Sequence, residues 1–201
     1  YHGSTRFFTA PELDINKTAG NRLVYKGFFI TPKREWAEEY LYQSSFGATK
    51  TGEKHLYKLR IKPGLNIFDL TLPTKQNMDV LKSLADKINQ RYPGAIDYSK
   101  FPVFNSSEDA YYNILDSLRK NNVASDEIPV SEIESWNKDP RNKYSFTSPY
   151  IEKRRKILYE AMQNLGIDGL YIIDEGDPTL ILFNPKEQII EMKEIEPSVV
   201  S

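Results

Sequence analysis

"GLYIIDEGDPTLILF", residues 169–183, places two short apolar runs on either side of an acidic turn, and how these runs are read decides the fold. Each run is only five residues long, rich in Ile and Leu, and bounded by Gly, Asp or Pro. "GLYII" and "TLILF" therefore read as strands and "DEGDP" as the tight turn between them. Downstream, "NPKEQ" (184–188) reads as a second turn and "IIEMKEI" (189–195) as a final strand. Strands return at the other end of the chain. "YKGFFITP" (25–32) is aromatic and β-branched, and "LNIFDL" (65–70) follows the Pro63-Gly64 turn. In "KHLYKLRI" (54–61), His55, Tyr57, Leu59 and Ile61 alternate with Lys54, Lys58 and Arg60, the period of a half-buried strand. Strands at both ends around a helical middle predict an α+β domain whose sheets join sequence-distant pieces, so that the two ends share one core.

The middle, residues 73–165, changes period. In "KQNMDVLKSLADKINQRYPG" (75–94) the apolar positions Met78, Leu81, Leu84, Ala85, Ile88 and Tyr92 advance by threes and fours, and Pro93-Gly94 ends the helix. "SSEDAYYNILDSLRKNN" (106–122) buries Tyr111, Ile114, Leu115 and Leu118 behind a Ser106/Ser107 cap. After the polar "NKDPRNKYSFTSP", a third helix carries Ile157, Leu158, Ala161, Met162 and Leu165 and stops at Gly166. Its basic run "EKRRK" (152–156) reads as the solvated face. A further helix, "KREWAEEYLY" (33–42), follows the first strands, with Thr31 as cap, Pro32 in its first turn, and Trp36, Ala37, Tyr40 and Leu41 on one face.

The 201 residues suit one domain, with 39% hydrophobic and 27% charged residues and an aromatic complement of 13 Tyr, 10 Phe and 2 Trp. A net charge of −1 gives no electrostatic reason to expect nonspecific binding to nucleic acid or to an anionic membrane. The absence of cysteine excludes disulfides, thiolate catalysis and cysteine-based zinc; with only two histidines, no metal is expected. No apolar run approaches a membrane span and no signal peptide is visible. The expected location is the cytoplasm, or a target cell into which the protein is delivered.

Three separated segments carry a family likeness. "YHGS" (1–4), "GFFITPKREWAEEY" (27–40) and "GIDGLYII…TLILFNPKEQI" (166–189) resemble, in order and spacing, the three signature segments of ADP-ribosyltransferases of the diphtheria-toxin and PARP-like branch, above all the phage and bacterial toxin-type members. The helical middle has no part in this likeness. The resemblance implies a split antiparallel sheet with the helical middle as an insertion, in a single ADP-ribosyltransferase-like domain over residues 1–201. It also implies NAD as substrate and transfer of a single ADP-ribose to a protein or nucleic-acid acceptor.

Residue by residue, the resemblance assigns His2 to an NAD ribose hydroxyl, the Gly3 backbone to the nicotinamide carboxamide, and Ser4 to a polar contact. Tyr40 would stack on the nicotinamide ring with Phe29 lining the same pocket, a contact worth about 0.5–1.5 kcal/mol beyond burial. Read from periodicity alone, Tyr40 is instead the last core residue of its helix face. In the family a glutamate begins the strand that here starts with Thr179. A hydrogen bond from a charged group contributes about 1.5–3 kcal/mol and a neutral one about 0.5–1.5 kcal/mol. Thr179 would thus orient the ribose without stabilising the developing cation, and slower transfer follows. Asp177, two residues earlier and on the same strand face, is the first choice for the missing carboxylate, ahead of Glu175. Arg22 is a pyrophosphate candidate, and His55, alternating with core aromatics, reads as structural. Two other outcomes stay open: a catalytically degenerate NAD-binding or protein-interaction module of the same fold, and an RNA-directed transferase of related fold.

Overall fold

In the computed structural model, residues 1–4, 27–42, 53–100, 105–139, 148–174 and 176–198 are described. They fall into two compact units: the described residues within 1–68 and 168–198 form a strand unit, and those within 69–167 a helical unit. The chain is a mixed α+β protein.

The strand unit holds two sheets. The first has the order β1–β3–β7, from β1 (His2–Ser4), β3 (His55–Ile61) and β7 (Ile189–Ile195). The second has the order β2–β6–β5–β4, from β2 (Phe28–Ile30), β6 (Asp177–Leu182), β5 (Gly169–Asp174) and β4 (Ile67–Asp69). Every register described is antiparallel. Phe28, Ile30 and Leu182 of the second sheet share a buried cluster with Ile189, Leu59 and Met192 of the first, so the sheets meet face to face.

Three expectations change in detail. Asp177 and Pro178 belong to β6 and not to the turn, since the ladder runs on to Asp174 opposite Asp177. Proline is tolerated there because the described pairing with β2 ends at Leu180, two residues further along β6. The simple alternation over 54–61 also overlooks Leu56, which is fully buried although it lies on the face opposite Tyr57. The helix α1 (Arg34–Tyr42) covers that second face, with Ala37 and Leu41 packed on Leu56. Ile61, counted with the buried set, is exposed beyond a register shift at Arg60/Ile61. The "NPKEQ" turn winds into one helical turn, α6 (Pro185–Gln188). Its buried Gln188 accepts from the Asn184 N–H (2.8 Å) and donates to the Asp168 carbonyl (2.7 Å), so the amide is satisfied at both ends.

The helical unit contains α2 (Met78–Arg91), α3 (Ser107–Lys120), α4 (Val130–Lys138) and α5 (Pro149–Asn164), with α5 packed against the other three. Leu81, Leu84, Ala85 and Ile88 are buried on α2, Tyr111, Ile114 and Leu118 on α3, and Ile157, Leu158, Ala161 and Met162 on α5, largely as their periodicity predicts. Ser106 caps α3 by accepting from the Asp109 N–H (3.4 Å), and Ser148 caps α5 by accepting from that of Ile151 (3.3 Å). Gly166, with φ 72°, ends the α5 region. Helix α4 has no counterpart in the sequence reading: its apolar positions Val130, Ile133 and Trp136 are spaced by threes over only nine residues, and none of them is fully buried. The basic run 152–156 is a correction of another kind. Arg154 and Arg155 are 8% and 6% exposed, because three neighbouring helices leave α5 little solvated surface.

Candidate functional site

The three segments that carry the family likeness converge in the strand unit. At the junction of the sheets, the Thr31 N–H donates to the Tyr1 carbonyl (2.9 Å) and the Tyr1 nitrogen to the Thr31 carbonyl (2.5 Å), joining the start of β1 to the end of β2. One residue along, His2 Nδ1 donates to the Phe29 carbonyl (2.8 Å). A carbonyl only accepts, so this bond assigns the proton to Nδ1 and, in the neutral ring, the acceptor lone pair to Nε2. The His2 ring lies 4.3 Å from that of Phe28 and 6.5 Å from that of Tyr57, both fully buried. This hydrogen bond and these aromatic neighbours hold its orientation.

Gly3 shows why a glycine stands next. A Cβ there would collide with the Ala37 carbonyl oxygen and press on the Leu41 side chain. The bare backbone of β1 lets α1 lie directly upon it, so the packing of the helix requires this glycine. Ser4 is half-buried, opposite His55 in the ladder. His55 is buried and its Nδ1 bonds Glu194 Oε1 (2.7 Å) across the same sheet.

Tyr40 is not a core residue. On α1 the buried positions are Ala37, Glu38 and Leu41, and Tyr40 is 53% exposed. Its hydroxyl is nonetheless pushed above its ordinary pKa by desolvation first and by the Asp174 carboxylate second. Phe29, half-buried, pairs with Ile181.

Thr179 is 4% exposed, opposite Ile172, and its Oγ1 donates a long bond to the Asp177 carbonyl (3.4 Å). Leu180 and Leu182 pack into the cluster between the sheets, so strand alternation turns Thr179 and Ile181 to the other face, the one that carries Phe29. The His2 ring, against Phe28, belongs to the inner face. His2 and Thr179 therefore point to opposite faces of the second sheet and are connected through the backbone of β2. Asp177, on the Thr179 face, forms an ion pair with Lys33, one residue before α1.

Three further residues have no signal in the sequence. Lys33 and Asp174 sit in runs of ordinary polar residues, and only the register and the α1 geometry bring them to Asp177 and Tyr40. Glu38 is buried within a helix face that reads as polar; it accepts from Arg34 Nε and from the Ser198 N–H, both at 2.8 Å. These bonds outweigh burial, which opposes them, and hold its carboxyl below the usual value. Glu175 and Arg22 lie outside the described residues. Among the described residues no group of three or more His, Asp or Glu is placed to hold a metal ion, and no helix is long and apolar enough to cross a membrane.

Compared with protein-family models, with curated proteins and with solved structures, the chain matches none. The site has to be read from its own geometry.

Proposed function

We propose that this chain is an NAD⁺-dependent mono-ADP-ribosyltransferase of split-sheet fold, toxin- or effector-like, acting on a protein or nucleic-acid acceptor. The supporting observation is the convergence of the three signature-like segments: β1 is joined to β2 at Tyr1/Thr31, β2 pairs with β6, and Asp177 of β6 reaches back to Lys33 at the head of α1. Segments separated by more than a hundred residues in the chain are neighbours in one unit.

In this reading Tyr40, Phe29 and Thr179 contact NAD⁺ directly, and His2, whose ring turns to the inner face, acts on the site through its hydrogen bond to the Phe29 carbonyl. Tyr40 presents an accessible ring for the nicotinamide, and Phe29 lines the same side. Catalysis is then positioning and electrostatics. The bond between ribose C1′ and the nicotinamide nitrogen breaks, the electron pair leaves with nicotinamide, and a nucleophile on the acceptor bonds to C1′ as its proton passes to solvent or a carboxylate. The buried, neutral Thr179 adds no negative charge for the ribosyl cation, and Lys33 offsets that of Asp177. Transfer is accordingly slow.

The same two features favour a second reading, an NAD-binding module that transfers nothing. Incubation with NAD⁺ labelled in the adenylate separates the two. Transfer predicts label on a macromolecular acceptor and release of free nicotinamide; the module predicts calorimetric binding of NAD⁺ with neither product. If NAD⁺ does not bind at all, both readings fall.

A further inference from the structure

A buried arginine in the helical unit lacks a counter-charge. Arg154 on α5 is 8% exposed. Its Nη2 donates to Ser125 Oγ (3.2 Å), the Tyr150 ring lies 6.0 Å from the guanidinium carbon, and the buried Nε has no hydrogen-bond partner. The charged group that acts on it most is a second guanidinium, that of Arg119; no carboxylate among the described residues balances it. The next residue supplies the contrast. Arg155, equally buried, is met by Glu152 Oε1 at 2.7 Å. Arg119 too has its own acid, Asp116, at 3.0 and 2.7 Å.

A guanidinium does not shed its proton in a protein, so burial cannot be relieved by neutralisation as it would be for a lysine. An uncompensated buried charge is costly. The geometry of the unmet donor is specific. Nε–H and one Nη2–H lie on the same edge of the planar guanidinium, the edge that grips two oxygens of one oxyanion side by side. Ser125 accepts from Nη2 and so keeps its hydroxyl proton to donate. A guanidinium fork beside a hydroxyl free to donate suits a phosphate group, with its near-double charge and several acceptor oxygens that take donors on more than one side, better than a carboxylate with two.

We propose that Arg154, together with Ser125, forms a binding site for a phosphate group, free or carried by a small molecule. The site lies wholly within the helical unit and does not rest on the NAD reading of the strand unit; either can fail alone.

The test is calorimetry and thermal unfolding of the whole chain with inorganic phosphate, against chloride at matched ionic strength. Saturable heat and a rise in melting temperature with phosphate, absent with chloride, are expected. Arg154→Met, which keeps an apolar stem and removes the charge, should weaken phosphate binding by about tenfold or more, the loss of a charge-assisted hydrogen-bond pair. Ser125→Ala should weaken it by a few-fold, and Lys156→Gln, at an exposed position on the same helix, should leave it unchanged. A nucleoside monophosphate tested in parallel distinguishes the source: tighter binding than inorganic phosphate points to a phosphomonoester, equal binding to the free ion. No response to millimolar phosphate beyond that to chloride overturns the proposal, as does wild-type affinity in Arg154→Met. If Arg154→Met does not fold, wild-type affinity in Ser125→Ala overturns it.

Discussion

The helical unit and the strand unit bury their residues by different logics. In the helical unit, α2, α3 and α5 each turn one apolar stripe to their neighbours, and each stripe is complete within its own 14 or 16 residues. In the strand unit no element is complete in itself. β1 and β2 have three residues each, and a residue such as Gly3 or Thr31 gains its role from a helix or strand elsewhere in the chain. Damage to a helix stripe is thus a loss of contact area. Damage to the joined strands is a clash or a misdirected side chain.

The largest effect separating the two is expected at Leu84, fully buried on α2. Leu84→Ala removes contact area and leaves a cavity, and should lower unfolding stability in urea by about 2–5 kcal/mol while NAD⁺ binding per folded molecule is unchanged. A concurrent loss of NAD⁺ affinity would show that the strand unit depends on the helical stripe. Gly3→Ala acts by the opposite route, pushing a methyl into the Ala37 carbonyl. About 1–3 kcal/mol should be lost, and His2 and Tyr40 should be displaced together, so that NAD⁺ affinity falls as well. Retention of wild-type affinity in that variant would mean that the α1–β1 contact does not set the site.

Glu38 gives a smaller, pH-dependent effect. Its folded pKa is held below the ordinary 4.5, so it contributes stability that is present above about pH 4.5 and is lost as pH falls through the lowered value. Glu38→Gln should cost about 1 kcal/mol near pH 7 and approach the wild type as pH falls below 4.5, read from melting temperature against pH. Parallel curves over that range would rule out a charge-dependent role. Tyr40→Ala should show the smallest change in stability, within about 0.5 kcal/mol, because the ring is 53% exposed. Its effect belongs in NAD⁺ affinity, weakened about tenfold by the loss of a stacking surface. A large loss of stability with unchanged affinity would return Tyr40 to a purely structural role.

How much of this was legible follows the same division. The stripes of α2, α3 and α5, their serine caps and the strand character of 54–61, 169–173 and 179–182 can be read because a period of 3.6 or 2 is local. Helix α4 escapes notice because its stripe of Val130, Ile133 and Trp136 is short and set among polar residues, and the burial of Arg154 and Arg155 does so because charge signals solvent until neighbouring helices remove it. Of the site, His2, Gly3, Phe29, Tyr40 and Thr179 stand out only through a family likeness. Lys33, Asp174 and Glu38 stand out in no way.

The sequence by itself determined the α+β character, the helical middle and the strand-bearing ends, since element type is written in spacing and composition. Tertiary structure decided that Tyr40 is an accessible ring and not a core one, that Gly3 makes room for α1, and that Asp177 meets Lys33. It also decided that His2 and Thr179 face opposite sides of one sheet. Each of these depends on a contact between residues far apart in the chain, and no local pattern of side chains encodes which distant partner will arrive.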